Sequence, residues 1–221
     1  MQGCLRFMIE RLQVERREKC YKCYRPKSSC MCQHIRHVET KTKFVILMHP
    51  KEYRKIKNGT GHLTHLSLPN SELYVGIDFS LDGRINELLQ DTKNLCYLLF
   101  PSKDSIEINS HQLSLEGKNV VIFIIDSTWA CAKKMLREST NISSLQSISF
   151  THTKTSEFAI KEQPAEYCLS TIESTLCVLE LMDKNGDEII EKSSLEEFLH
   201  PFKKMIEFQI EYMQECRNPR F

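Results

Sequence analysis

An α/β fold built on a mostly parallel sheet with flanking helices is what this sequence predicts, and three apolar runs carry the prediction. They are Lys43 to Met48 (KFVILM), Asn94 to Phe100 (NLCYLLF) and Val120 to Ile125 (VVIFII). Each is too short for a membrane span and right for a strand buried on both faces, as parallel strands are. Each also ends in polar punctuation: His49-Pro50, Pro101-Ser102 and Asp126-Ser127-Thr128. In a parallel sheet those three ends share one rim, the edge on which open α/β sheets hold ligands.

The chain has 221 residues, 41% of them hydrophobic, enough for one cored domain with an appendage. It has no 18-residue apolar stretch, and its start, MQGCLRFMIERLQ, lacks the apolar core of a signal peptide. No membrane partner is expected, and a cytoplasmic location is. Ten Cys in that setting point to metal where they cluster and to ordinary thiols where they scatter, as at Cys96, Cys131, Cys168, Cys177 and Cys216. The net charge of +1 conceals an asymmetry. Residues 1–43 hold eleven Lys/Arg against four Glu, and the rest of the chain holds 19 basic against 25 acidic residues. A basic head on an acidic body favours a polyanionic partner near the N-terminus.

Residues 1–42 form the first predicted unit and residues 43–221 the second. Residues 4–19 have the periodicity of a basic helix with a modest apolar side. Then Cys20, Cys23, Cys30 and Cys32 follow with the spacing C-x2-C-x6-C-x-C. Four thiolates this close can close a tetrahedron around one zinc ion, with an iron–sulfur cluster or redox thiols as the alternatives. Zinc here would be structural or RNA-presenting, ordering a segment that has almost no core of its own. Arg16, Arg17, Lys22 and Arg25 are interleaved with Tyr21 and Tyr24, a mixture suited to neutralising and stacking on RNA. The alternative is a solvated basic face around a structural metal.

Beyond the first strand, KEYRKIK reads as a basic helical turn. Asn58-Gly59-Thr60-Gly61 reads as a small-residue loop that lets backbone approach a ligand or turn sharply. A short helix is expected over His62 to Leu68, a weak strand over Glu72 to Ile77, and another short helix over Gly83 to Gln90. Leu145 to Phe150 alternates as an edge strand would. Ser170 and Glu173 have capping-box spacing at the start of an apolar helix. Pro201 falls inside the final helical pattern and is expected to kink or divide it.

Asp126-Ser127-Thr128 opens a helix carrying Trp129, the single tryptophan, with Lys133, Lys134 and Arg137 beside it. Asp126 can be a ligand-facing acid or part of a helix cap; the convergence of three strand ends favours the acid.

Taken together, these residues resemble the DTW-domain family of tRNA-uridine aminocarboxypropyltransferases. The similarity spans Cys20 to about Phe208 and rests on five motifs in order. They are the cysteine pattern with Arg25-Pro26 inside it, His49-Pro50-Lys51-Glu52, Pro101-Ser102, Asp126-Ser127-Thr128-Trp129, and Leu169 to Glu173. One departure is visible, because the family's Asn-Thr-Gly stands here as Asn58-Gly59-Thr60-Gly61. The resemblance implies a knotted, SPOUT-like α/β class. It also implies transfer of the 3-amino-3-carboxypropyl group of S-adenosylmethionine to N3 of a uridine in tRNA, releasing methylthioadenosine. Asp126, Thr128 and Trp129 are then the catalytic set, and His49, Pro101, Ser102, Ser170, Thr171 and Glu173 hold the donor. Arg16, Arg17, Lys22, Arg25 and Lys133 face the RNA. Uridine N3–H is a weak acid, so an acidic residue on the rim must accept its proton or orient the base. Two other readings remain at this point, a SPOUT-type RNA methyltransferase and a non-catalytic zinc-containing RNA-binding module. The motifs choose neither a particular tRNA nor an oligomeric state.

Overall fold

The computed structural model describes residues 18–54, 59–113, 117–153, 155–158 and 168–217. The three apolar runs are strands β1 (Lys43–Met48), β3 (Asn94–Leu99) and β5 (Asn119–Asp126). With β2 (Ser71–Val75), β4 (Ile106–Glu107) and β6 (Gln146–Ser149) they make a six-stranded sheet in the order β2-β1-β5-β3-β6-β4. Every pairing is parallel. Strand β1 leads to β2 on one side, β3 lies on the other, and β5 fills the gap between. That reversal of direction is a switch point, and it puts the end of β5 at the mouth of the crevice.

Alternation along β5 builds two cores. Val120, Ile122 and Ile124 face one side with Phe44 and Tyr97, and Val121 and Phe123 face the other with Val45, Leu47 and Leu98. The first face is covered by α2 (Thr60–Ser67), α6 (Thr171–Asn185) and α8 (His200–Arg217), through Leu63, Ile172, Leu179, Phe202 and Met205. The second is covered by α3 (Gly83–Gln90), α4 (Trp129–Glu138) and α5 (Thr140–Ser143), through Ile85, Leu88, Met135 and Ile142. Fully buried side chains such as Phe44, Phe123 and Phe202 each contribute ~1.5–3 kcal/mol relative to exposure.

Two expectations need correction. The alternating segment at β6 is not the edge of the sheet, because the two-residue β4 pairs outside it. So short a strand leaves no periodicity to detect. Gly59-Thr60-Gly61 is not a loop: Gly59 is the N-cap of α2, and Thr60 and Gly61 are its first residues. Pro201, expected to kink or divide the final helical pattern, divides it. Helix α7 (Lys192–Glu197) stops short of it, and α8 starts at His200, placing Pro201 in a first turn where its missing N–H costs nothing. Arg16, Arg17, Asn58 and nearly all of the expected N-terminal helix lie outside the described residues.

Candidate active site and metal centre

Asp126 pairs with Met48 at the end of the β1–β5 ladder, and the next rung is the His49 N–H donating to Asp126 O at 3.0 Å. The Asp126 side chain is 8% exposed. Its Oδ1 accepts a 2.6 Å hydrogen bond from Thr171 Oγ1, on the first residue of α6. Its Oδ2 lies against Gly61 so closely that a Cβ built there would sit only 2.3 Å away. The carboxylate is therefore held between the first turns of α2 and α6, whose N-terminal dipoles favour a negative charge. It does not cap the helix that follows it in sequence. The N-cap of α4 is Thr128, with no side-chain cap bond. Asp82 shows what an aspartate cap looks like here, accepting from the Ile85 N–H at 2.9 Å.

The other strand ends share this rim. His49 is 5% exposed, and its Nδ1 accepts from the Lys51 N–H at 3.1 Å, which leaves the ring proton on Nε2. It opens α1 (Pro50–Arg54), its carbonyl accepting from the Glu52 and Tyr53 N–H groups. Leu99 of β3 pairs with Ile124, so the exposed Pro101 and Ser102 follow it toward the level of Asp126. Thr128 is exposed, and Trp129 is 45% exposed with its ring against Phe100 at 5.7 Å. Ser170 caps α6. Glu173 turns inward instead of toward the rim. Its oxygens accept from Ser170 N–H (2.8 Å), the Ser156 hydroxyl (2.9 Å) and the Glu157 N–H (2.7 Å). Glu173 thus ties residues 156–157 to the start of α6.

The four N-terminal cysteines converge. All their sulfurs lie within 4.8 Å of one another, with Cys20–Cys32 at 3.6 Å and Cys23–Cys30 at 3.7 Å. A tetrahedron with ~2.3 Å zinc–sulfur bonds has edges of ~3.8 Å, so the donor set fits zinc. Backbone N–H groups of Cys23 and Lys22 point at the Cys20 sulfur and lower its pKa to about 6. Among the described residues this is the one cluster of metal-ligating groups, and Cys96, Cys131, Cys168 and Cys177 stand apart from it. Lys22 and Lys133 are exposed. Arg25 is not: it is 2% exposed, with Nη2 donating to Gly59 O at 3.5 Å and lying 3.2 Å from Met205 Sδ. The expected RNA contact is an internal strap joining the cysteine segment to α2 and α8.

The DTW domain family matches residues 17–210. The chain belongs to this family. It is 25% identical to tRNA-uridine aminocarboxypropyltransferase 2 of Mus musculus, over 92% of this chain and 67% of the relative. It is 30% identical to the Drosophila melanogaster protein of the same name, over 78% of this chain and 69% of the relative. It is 25% identical to tRNA-uridine aminocarboxypropyltransferase A of Arabidopsis thaliana, over 91% of this chain and 84% of the relative. No solved structure matches the chain at a significant level.

The DTW motif of this chain thus lies at the end of the central strand, with the metal segment beside the helix that abuts it. Two features of the DTW site escaped the sequence. One is the contact of Gly61 with Asp126, where loop-like composition and the Asn58-Gly59-Thr60-Gly61 motif were the available signs. The other is an aromatic group of Tyr24, Tyr53 and His62, drawn from three separate segments. A cavity of about 790 Å³ lies among α6, α7 and α8, lined by Leu176, Glu180, Asp183, Leu195 and Lys203 and reaching two residues of the last motif, Leu169 and Glu173. It touches no strand-end residue.

Proposed function

We propose that this DTW-family protein transfers the 3-amino-3-carboxypropyl group of S-adenosylmethionine to N3 of a uridine in tRNA. The relatives' names support the reaction, and the observation that carries the site is the Asp126 carboxylate. It is fixed by Thr171 and Gly61 at the switch point rather than used as a helix cap. The donor supplies a sulfonium: its bond to the aminocarboxypropyl carbon breaks as N3–C forms, and the electron pair stays on the sulfur of methylthioadenosine. Asp126 accepts the N3 proton or aligns the uracil, while the Thr171 hydroxyl holds the carboxylate in place. His49, Pro101, Ser102, Ser170 and Thr171 border the donor, and Glu173 acts on it indirectly by fixing Ser170. Thr128 and Trp129 lie on the open side, where Trp129 offers a wall or stacking face.

Zinc fits the four cysteines and would supply ~10–16 kcal/mol of apparent binding free energy to order the segment. Tyr21, Lys22 and Lys133, all exposed, face the RNA; the same role is proposed for Arg16 and Arg17, which lie outside the described residues. Among the described residues no helix is long and apolar enough to cross a membrane. A cytoplasmic setting keeps the thiols reduced for metal.

The test is Asp126→Asn, which keeps shape but removes charge and proton acceptor. Melting temperature and donor affinity should hold while single-turnover transfer falls at least ~10²-fold. A variant that is less stable yet fully active would overturn the assignment. Release of methylthioadenosine, rather than S-adenosylhomocysteine, separates this reaction from methyl transfer.

A further inference from the structure

We propose that Tyr24, Tyr53 and His62 form the subsite that receives the target pyrimidine base, with Tyr24 as the stacking face and His62 Nε2 hydrogen-bonding the uracil edge. The inference rests on the reading of the protein as a uridine-modifying enzyme. The three rings are mutually packed, with centroids 6.3 Å (Tyr24–Tyr53), 5.8 Å (Tyr24–His62) and 5.2 Å (Tyr53–His62) apart. They come from the cysteine segment, from α1, which His49 opens, and from α2. His62 directly follows Gly61, the residue in contact with the Asp126 carboxylate. A base at this group would therefore sit beside the helix turn that meets the proposed catalytic acid, on a segment whose neighbouring residues Tyr21 and Lys22 are exposed.

Two further observations point to a ligand. Tyr24 has φ +57°, a left-handed conformation that glycine adopts freely and a tyrosine adopts only against steric resistance. Strain of that kind gathers at functional sites. The ring it holds is still 43% exposed. His62 is 5% exposed and its Nε2 has no hydrogen-bond partner. Burial and the nearby Arg25 lower its pKa to about 4, so the ring is neutral at physiological pH. Buried polar atoms are nearly always paired, and one without a partner, packed against the exposed Tyr24 and the half-buried Tyr53, suits a planar, polar-edged ligand. Uracil has that form: a π-face for Tyr24 and carbonyl and N–H groups along its edge.

The experiment uses the full-length, metal-bound protein and a tRNA transcript carrying 4-thiouridine in place of uridine. Irradiation should yield a crosslink mapped by mass spectrometry to Tyr24 or Tyr53. Tyr24→Ala should lower kcat/KM for tRNA by about 5- to 150-fold, the range for loss of one base–aromatic stack, with donor affinity and zinc content within about twofold of wild type. Tyr24→Phe should restore activity, and His62→Phe, which keeps the packing and removes the polar atom, should lose about tenfold. Tyr24→Ala with wild-type kcat/KM, loss of zinc from that variant, or crosslinks confined to Tyr21 would each overturn the subsite. If Tyr24→Ala fails to fold, the crosslink on the wild-type protein decides. A crosslink at Tyr24 without methylthioadenosine release supports the base subsite and overturns the transferase reading. Methylthioadenosine release without that crosslink overturns the subsite alone.

Discussion

Gly61→Ala adds one methyl group at the place where α2 meets the Asp126 carboxylate. The new Cβ would lie 2.3 Å from Asp126 Oδ2, 2.7 Å from its Cγ and 2.8 Å from Met48 Cε. Ordinary contacts between such atoms are about 3.5–4 Å, so the carboxylate or the helix must move by about 1 Å. In an open helix the same change favours folding by ~1 kcal/mol, because alanine is the better helix former. Overpacking opposes it by about 1–3 kcal/mol. The net is a loss of roughly 0–2 kcal/mol, a fall in melting temperature of up to ~8 °C for a chain of this size.

The effect on transfer should be larger than the effect on folding. A displacement of about 1 Å at a reacting group costs ~10²-fold in rate. The assay pairs a thermal melt with single-turnover release of methylthioadenosine at saturating donor and tRNA. Gly83→Ala is the control, since a Cβ at that first residue of α3 meets nothing within 4 Å. It should remain fully active and at least as stable as wild type. If Gly61→Ala transfers at the wild-type rate, the carboxylate held against Gly61 is not the reacting group.

Two further outcomes follow from the metal segment and from His62. Protein purified without chelator should carry about one zinc per chain by elemental analysis, and Cys20→Ser should lose most of it; full metal content in that variant removes the four-thiolate assignment. The pKa of His62 falls from 6.5 to about 4 through burial first and Arg25 second. The unfolded chain therefore binds more protons between those values, so stability is complete above pH 6.5 and declines as pH falls toward 4, by up to ~3 kcal/mol. Urea unfolding at several pH values should show that slope in wild type and a shallower one in His62→Phe; identical slopes would show that the imidazole does not stay neutral.

The strands and the rim were legible because their signals are local. Six consecutive apolar residues ending at Asp126 need no partner to be read as a buried strand. The cysteine cluster was legible for the same reason, with four ligands inside thirteen residues. What escaped is what depends on contact between distant segments. Thr171 was legible as a site residue, but not its bond to an aspartate 45 residues away. Tyr24 and His62 are brought together only when the cysteine segment docks on α2. Gly61 looked like loop composition, and its actual requirement, space for a carboxylate from another strand, leaves no periodic trace.

Arg25 shows why charge in a sequence does not report which way a side chain points. Counted with Arg16, Arg17 and Lys22 it belongs to a basic head, yet it is buried within reach of the thiols of Cys23, Cys30 and Cys32. A buried cation needs compensation, and a divalent ion held by four thiolates carries a net charge of about −2. A zinc ion held by the four thiolates would therefore supply the counter-charge that lets a guanidinium lie inside. From there Arg25 reaches Gly59 O and Met205 Sδ. Gly59 is the N-cap of α2, and two residues later Gly61 meets Asp126. The cysteine segment is thus docked on the body of the fold: its buried Arg25 reaches the helix whose Gly61 meets Asp126, the acid of the proposed catalytic rim.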